Sequence, residues 1–415
     1  MPKPLHFYKH SDRTQLAWKF LLLTVIWLLP CTTLWAQNET DEAALLGVKN
    51  GVSFRKDSVF SLNLRFRMQN RMAYFSQLDG IADPMVEARV RRLRLRLDGF
   101  LLSSKLSYYV QLSFSRADQD LVEDVIAQTV RDAMIYYRFS PSFYIGFGQG
   151  KLPGNRQRVI SSGNIQMPDR SVANQLYTID RDFGVFAYKT VQFNTAQLQF
   201  KTAVSTGDGR NAVISNDGLA YTGRMELLPM GDFKNSGDYS EGDLEFEPTP
   251  KLSLAATYSF NQKAVRTGGQ LGKALSEPVD MQTFIADMMF KYNGWALLGE
   301  YFDRSLTNAS SEAISLPTLR SVQQGRALNL QASRMLGRKS EIILRYTAAR
   351  PLASLRDTQP EYHTKAVGYT RYFNGHRIKL QSYLGLDDRN YPEGASSGTS
   401  YKNRLQAMVQ MELGI

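Results

Sequence analysis

The sequence predicts an all-β protein: a 16-stranded antiparallel transmembrane β-barrel with short periplasmic turns and long extracellular loops. Three observations predict it. The N-terminus is laid out for export. Nearly the whole chain after residue 50 alternates apolar and polar residues with period two. The connections between the alternating segments come in two kinds, short and long, that take turns.

The export signal comes first. Lys3, Lys9, Arg13 and Lys19 form a basic region, Phe20 to Leu29 are an unbroken run without charge, and Pro30 ends it. Ala36 places a small residue at the expected cleavage position. This is the pattern of a secretory signal peptide, and the run falls short of the roughly 20 apolar residues of a spanning helix. Residues 1–36 are therefore expected to be removed, leaving 37–57 as a short segment ahead of a barrel at 58–415. Cys31 also fits a lipoprotein anchor, but Pro30 stands where such signals carry Gly, Ala or Ser.

Removal of that segment takes the one cysteine, so disulfides, thiolate metal sites and cysteine nucleophiles are excluded from the mature chain. His363 and His376 alone remain of the four histidines. Losing four basic residues and one acidic residue from a formal charge of +11 leaves about +8. Such a surplus suits nucleic acid, an anionic surface or small anions, and export makes nucleic acid an unexpected partner. No later segment has the apolar length of a spanning helix. A membrane location then requires a closed barrel, because in lipid only helices and barrels satisfy every backbone group.

The strands follow in order. In 60–68, Phe60, Leu62, Leu64, Phe66 and Met68 alternate with Asn63, Arg65 and Arg67, and in a strand the two sets face opposite sides. Residues 92–98 repeat the pattern as alternating Arg and Leu, and 106–114 place Leu106, Tyr108, Val110, Leu112 and Phe114 on one face. Pairing all such segments predicts strands at about 58–75, 89–102, 105–116, 129–139, 143–150, 182–190, 196–206, 220–228, 251–261, 282–292, 295–303, 324–336, 340–350, 362–373, 376–387 and 400–415. Ser140-Pro141-Ser142, Asn293-Gly294, Gly337-Arg338-Lys339 and Asn374-Gly375 read as tight turns. Polar stretches such as 151–181, 262–281 and 304–323 read as long loops, and this asymmetry is that of outer-membrane barrels. Residues 229–250, with Asp232, Asp238, Glu241, Asp243, Glu245 and Glu247, should be a short turn but run long. They read as a mobile excursion or a missed hairpin, and as a solvated charge run rather than a Ca²⁺ loop.

A secreted soluble β-sandwich shows similar alternation. Against it stand the Leu, Phe, Tyr and Met content of the apolar faces and a chain that ends within a strand. Tyrosines near strand ends (Tyr74, Tyr136, Tyr137, Tyr144, Tyr177, Tyr188, Tyr221 and Tyr372) also suit interfacial girdles.

From about Phe54 onward the chain resembles the phosphate-selective porin O and P family, in its Bacteroidota form. The resemblance is carried by Arg91-Arg92-Leu93-Arg94-Leu95 with Asp98-Gly99, Gly148 to Pro153, Asp169-Arg170-Ser171, Arg181 to Val185, Glu341 to Tyr346 and Gly368 to Leu380. It implies a 16-stranded barrel, usually a homotrimer in outer-membrane lipid, inserted by the barrel-assembly machinery of a Gram-negative bacterium. It also implies a third extracellular loop that narrows the lumen, and residues 151–181 occupy that place. The chain departs from the pattern in ending on Ile415 rather than an aromatic.

Register assigns the inner face. Leu93, Leu95 and Leu97 must face lipid, where an Arg or Lys would cost roughly 2–4 kcal/mol at the midplane. Arg92, Arg94 and Arg96 then face the lumen, as do Arg65, Arg67, Arg345, Arg377 and Lys379, and the long loop adds Lys151, Arg156, Arg158, Arg170 and Arg181. An inner arginine ribbon of this kind attracts anions through charged, forked guanidinium groups. The alternative is that these arginines pair with inner carboxylates such as Asp98, Asp132, Glu226 and Asp287. The expected function is passive diffusion of small solutes with an anion preference that extends to phosphate, without cofactor. The alternative is a barrel whose loops bind a glycan or surface partner with little conductance. The two histidines lie near strand ends with no nucleophile motif, so no enzyme is expected. Only 37–57 precede the first strand, so no plug domain is expected either.

Overall fold

The chain is described by a computed structural model covering residues 45–47, 51–78, 84–116, 121–122, 126–127, 129–212, 217–307, 321–390 and 403–415. The expected signal peptide lies outside the described residues.

Sixteen strands form one closed wall: β1 (Phe60–Gln77), β2 (Met85–Leu101), β3 (Ser103–Ser113), β4 (Val130–Ser140), β5 (Phe143–Lys151), β6 (Arg181–Phe193), β7 (Ala196–Ser205) and β8 (Ala220–Leu228). The second half is β9 (Lys251–Arg266), β10 (Ala274–Tyr292), β11 (Trp295–Leu306), β12 (Gly325–Met335), β13 (Ser340–Pro351), β14 (Glu361–Asn374), β15 (Ile378–Asn390) and β16 (Asn403–Gly414). Each pairs antiparallel with the next, and β16 pairs with β1 from Arg404↔Gln77 to Gly414↔Arg67, which closes the barrel. Closure leaves no sheet edge with unpaired backbone groups, the condition for a strand structure in lipid.

Alternation separates the faces. Leu330, Leu344, Val367, Leu384 and Val409 project outward and are exposed, while Gln69, Asn329, Gln381 and Gln410 project inward and are buried. Among the described residues no helix is long and apolar enough to cross a membrane.

A ribbon of two short strands, Leu45–Gly47 and Val52–Lys56, extends the wall. Its second strand pairs with Phe60–Leu64 of β1, just beyond the point where β16 stops. Gly51 turns the ribbon at φ +101°, and a Cβ there would lie 2.4 Å from the Leu64 carbonyl oxygen.

Three expectations change. The expected loop 262–281 is largely strand, because β9 and β10 continue their ladder to Arg266↔Ala274. Asn374-Gly375 is part of a longer turn that includes His376 and Arg377, since Asn374 pairs with Ile378. Arg377 therefore sits exposed in the turn and not on the inner face, whereas Lys379 is fully buried inside. The tyrosine girdle is the third. Tyr74, Tyr137 and Tyr221 are exposed on the outer face, but Tyr136, Tyr144 and Tyr188 line a luminal cavity. Tyr177 and Tyr372 are buried. Nearness to a strand end does not fix a face; parity does.

Candidate functional site: a doubly constricted, arginine-lined lumen

The third long connection, residues 152–180, folds into the barrel. Helix α1 (Arg156–Val159) and helix α2 (Val172–Tyr177) stiffen it, and Ile160, Ile165 and Met167 are fully buried. Ser171 caps α2 by accepting from Asn174 N at 3.1 Å, and Arg304 from β11 donates to the carbonyls of Tyr177 and Thr178 at 2.9 and 3.0 Å at the other end. Those are the groups a helix leaves unpaired at its two ends.

Side chains of the wall hold the loop on many sides. Arg156 is fully buried, donating to Asp287 at 3.2 Å and to Ser253 at 2.6 Å, with Glu226 at 3.8 Å. Burial opposes its charge, but Glu226 and Asp287 prevail and raise its pKa. Asn155 donates to Glu300 at 2.8 Å, and Lys379 donates to the carbonyls of Gly163 and Ile165 at 2.7 and 2.8 Å. At the far end, Asp169 collects Arg71, Arg91 at 3.0 Å and Arg92 at 3.4 Å. Burial alone would raise the Asp169 carboxyl; those three guanidiniums hold it well below the usual carboxylate range.

Residues 229–250 also enter the lumen, from the end carrying the short turns. A short helical turn at Lys234–Tyr239 lies against the loop: Arg156 donates to Asp238 O at 3.2 Å, Glu241 N donates to Asn164 O at 2.8 Å, and Gln166 N donates to the Glu241 carboxylate at 2.9 Å. The solvated, mobile reading of this acidic stretch is thus corrected. Asp238, Glu241, Asp243 and Glu247 are buried, and Asp243 and Glu247 accept backbone N–H groups of Gly294 and Lys234 at 2.6 and 2.7 Å. Their charge served interior hydrogen bonding, which composition cannot distinguish from solvation. Among the described residues no cluster of potential metal ligands is present.

Loop and inserted segment leave space against β2–β7. A cavity of 420 Å³ lies there, lined by Arg94, Arg96, Arg131, Arg158 and Arg170 among others. A second, of 250 Å³, lies toward the long-loop end beside Arg91, Arg92 and Asp169. The residues common to both are Arg94, Arg131, Arg158 and Arg170. Four guanidiniums, here called the neck, therefore border both chambers. Burial, then the charges of Arg181, Arg170, Arg131 and Arg94, pull the Arg158 pKa well down; burial foremost draws Arg170 down to about 10. Like charges crowded this way favour an added anion.

The sequence matches the family model described as phosphate-selective porin O and P over residues 62–303. The chain belongs to this family. It is an outer-membrane porin, a channel rather than an enzyme by family and fold. No curated protein matches the sequence. Solved structures share the porin's fold at low identity. The anion-selective porin of Comamonas acidovorans is 12% identical with a TM-score of 0.53, the match covering 86% of this chain and 100% of that one. The outer-membrane channel DcaP of Acinetobacter baumannii is 13% identical with a TM-score of 0.52, covering 88% and 100%. Salmonella typhi OmpF is 14% identical with a TM-score of 0.56, again covering 88% and 100%.

The porin's expected inner arginines divide by what they touch. Arg65 and Arg96 flank Asp98 at 3.8 and 2.7 Å. Arg67 and Arg94 each donate to Ser162 of the loop at 2.9 Å, and Arg92 donates to Gln69 at 2.7 Å. Lys151 and Arg181 are the last residue of β5 and the first of β6, so they root the loop rather than belong to it. Lys151 donates to the carbonyls of Val159 and Ile160 at 3.3 Å, and Arg181 forks onto Asp132 at 2.8 and 3.1 Å. Arg158 pairs with Asp180. Arg170 donates to Gln157 O at 2.5 Å and Ile160 O at 2.9 Å, and Arg345 donates to Asp169 O at 2.9 Å. Asp98, Asp132, Glu226 and Asp287, the expected inner carboxylates, all take basic partners. The ribbon is thus largely a scaffold, and Arg94, Arg158 and Arg170 are its members that border both chambers.

Simple alternation missed Arg91 and Arg131. Each sits at a register shift: Gln69 pairs with Arg92 but Asn70 with Val90, and Gln111 pairs with Asp132 but Leu112 with Val130. The extra residue of such a bulge re-aims a side chain. The sequence signals available were Arg91-Arg92 and Arg131-Asp132, two charged residues in succession on strands that can tolerate charge on one face only.

Proposed function

We propose that this porin passes small solutes by diffusion and prefers anions, phosphate among them. The observation that carries the reading is the neck formed by Arg94, Arg131, Arg158 and Arg170 between the two chambers. Guanidinium groups are well suited to phosphate and carboxylate oxygens, and a solute passing that neck exchanges part of its hydration for them. The name of the Comamonas acidovorans neighbour is consistent with the reading, as is the family's description. A homotrimer is part of the proposal by family membership, and chemical crosslinking of the detergent-extracted protein tests it.

Reversal potentials in a KCl gradient across planar bilayers test selectivity. The expected sign is that of an anion-selective channel, with Arg131→Gln and Arg158→Gln each moving the potential toward zero. A cation-selective wild type contradicts the proposal, and absence of conductance supports the alternative of a partner-binding barrel.

A further inference from the structure

Small inorganic anions need cations and N–H donors, yet the larger chamber is also walled by aromatic rings. Tyr109, Tyr136, Tyr144 and Tyr188 of β3–β6 and Tyr239 of the inserted segment line it, and all five are half-buried. Tyr144 and Tyr188 stack at 4.4 Å with an interplanar angle of 11°, and Tyr136 meets Tyr144 edge-on at 6.1 Å. Arg96 lies over the Tyr109 ring at 4.6 Å, and the four arginines of the neck line the same chamber as the rings. Among the described residues the hydroxyls of Tyr136, Tyr144 and Tyr188 have no hydrogen-bond partner. A cluster of phenol rings and hydroxyls that shares a chamber with arginines matches a solute with a ring, hydroxyl groups and an acid group.

We propose that this chamber is a subsite for anionic sugars of monosaccharide size, a sugar phosphate or a uronate. The sugar ring lies on the tyrosine wall, its hydroxyls pair with the phenol groups, and its acid group meets the arginine neck. The 420 Å³ chamber falls within the roughly 300–1,000 Å³ typical of small-ligand sites. An aromatic acid would use the ring faces but leave the phenol hydroxyls unpaired. The inference rests on the anion-preferring reading of the same lumen and names its solute class.

The test measures block of chloride current through the full-length protein in planar bilayers. Glucose 6-phosphate, glucuronate, inorganic phosphate, glucose and benzoate are the added solutes. Glucose 6-phosphate and glucuronate are expected to half-block at concentrations about tenfold below inorganic phosphate and benzoate, with glucose weaker than either sugar acid. Tyr144→Leu is expected to raise the half-blocking concentration of glucose 6-phosphate about tenfold and leave that of phosphate unchanged. Tyr136→Phe keeps the packing if Tyr144→Leu fails to fold, and is expected to weaken sugar block but not benzoate block. Equal block by phosphate, stronger block by benzoate, or variants that shift every solute alike overturn the subsite. Reversal potentials on the same channels separate the two readings. A cation-selective channel overturns both, whereas an anion-selective channel without sugar preference overturns the subsite alone.

Discussion

Arg156 shows how one residue couples loop, wall and inserted segment. Its guanidinium reaches β9 through Ser253, β10 through Asp287 and the inserted segment through Asp238 O, with no exposed surface. Removing one partner of a buried ion pair typically costs about 3–5 kcal/mol because the other charge is left uncompensated. Arg156→Ala is expected near the lower end, about 3 kcal/mol, because Arg224 still pairs with both Asp287 and Glu226. A lower temperature for loss of the fast-migrating folded form on gels would show it. Sequence reasoning placed Arg156 in the lumen but gave it solute to bind; its partners are far away in sequence, and periodicity carries no information about which charge meets which. Arg91 and Arg131 were missed for a different reason: a bulge adds one residue and inverts parity locally, and nothing in an isolated strand announces it.

At the scale of elements, the sixteen strands were all legible because a lipid-facing side and a water-facing side impose opposite chemistry on alternate residues. What lies inside was legible only by position. The loop at 152–180 was expected in the lumen, whereas 229–250 was read as outside matter, since buried acids hydrogen-bonded to backbone look like solvated acids in sequence. The inserted segment is also tethered through Ser240 to His376, at 2.9 Å, in the turn before β15. Burial, with Lys379 and Lys291 nearby, holds His376 well below the usual imidazole range. Its folded pKa is depressed and it is a base, so the undocked state binds more protons below about pH 6.5 and docking weakens as pH falls. Asp169 responds in the same direction but in a lower window: its depressed carboxyl keeps its stabilisation until pH falls into and below the ordinary carboxylate range. Hydrogen exchange at about pH 7.5 and pH 5, corrected for the intrinsic rate at each pH, should show lower protection in 234–247 at the lower pH and little change around 167–171. Equal protection of both at both pH values would refute the assignment of His376 as the sensitive tether.

For the molecule as a whole, wall and constriction are separable. Every strand pairs with its neighbours along its length, and the wall closes through β16 and β1 without help from the inserted segment. Replacing residues 234–246 by a short Gly-Ser turn should therefore leave a folded barrel. Its single-channel conductance should rise, since one of the two constrictions is gone. A variant that fails to insert, despite correct export, would show that the segment is part of the wall's stability. The same separation explains why fold was read from sequence more fully than site: the wall is periodic and local, and the constriction is aperiodic and long-range.

The closing seam has one further consequence. The 152–180 loop lies across it: Gly163 O accepts from Lys379 of β15, Ser162 accepts from Arg67 and Arg94 of β1 and β2, and Glu412 of β16 accepts from Gln69 of β1 at 2.8 Å. The loop thus bridges the seam from within, bonded to β15 on one side of it and to β1 and β2 on the other. Opening the seam from within therefore breaks more than the β16–β1 ladder, because the loop's bonds to both sides part with it. A loop usually thought of as a filter for solutes is then also a latch on the one joint where the chain's two ends are held together.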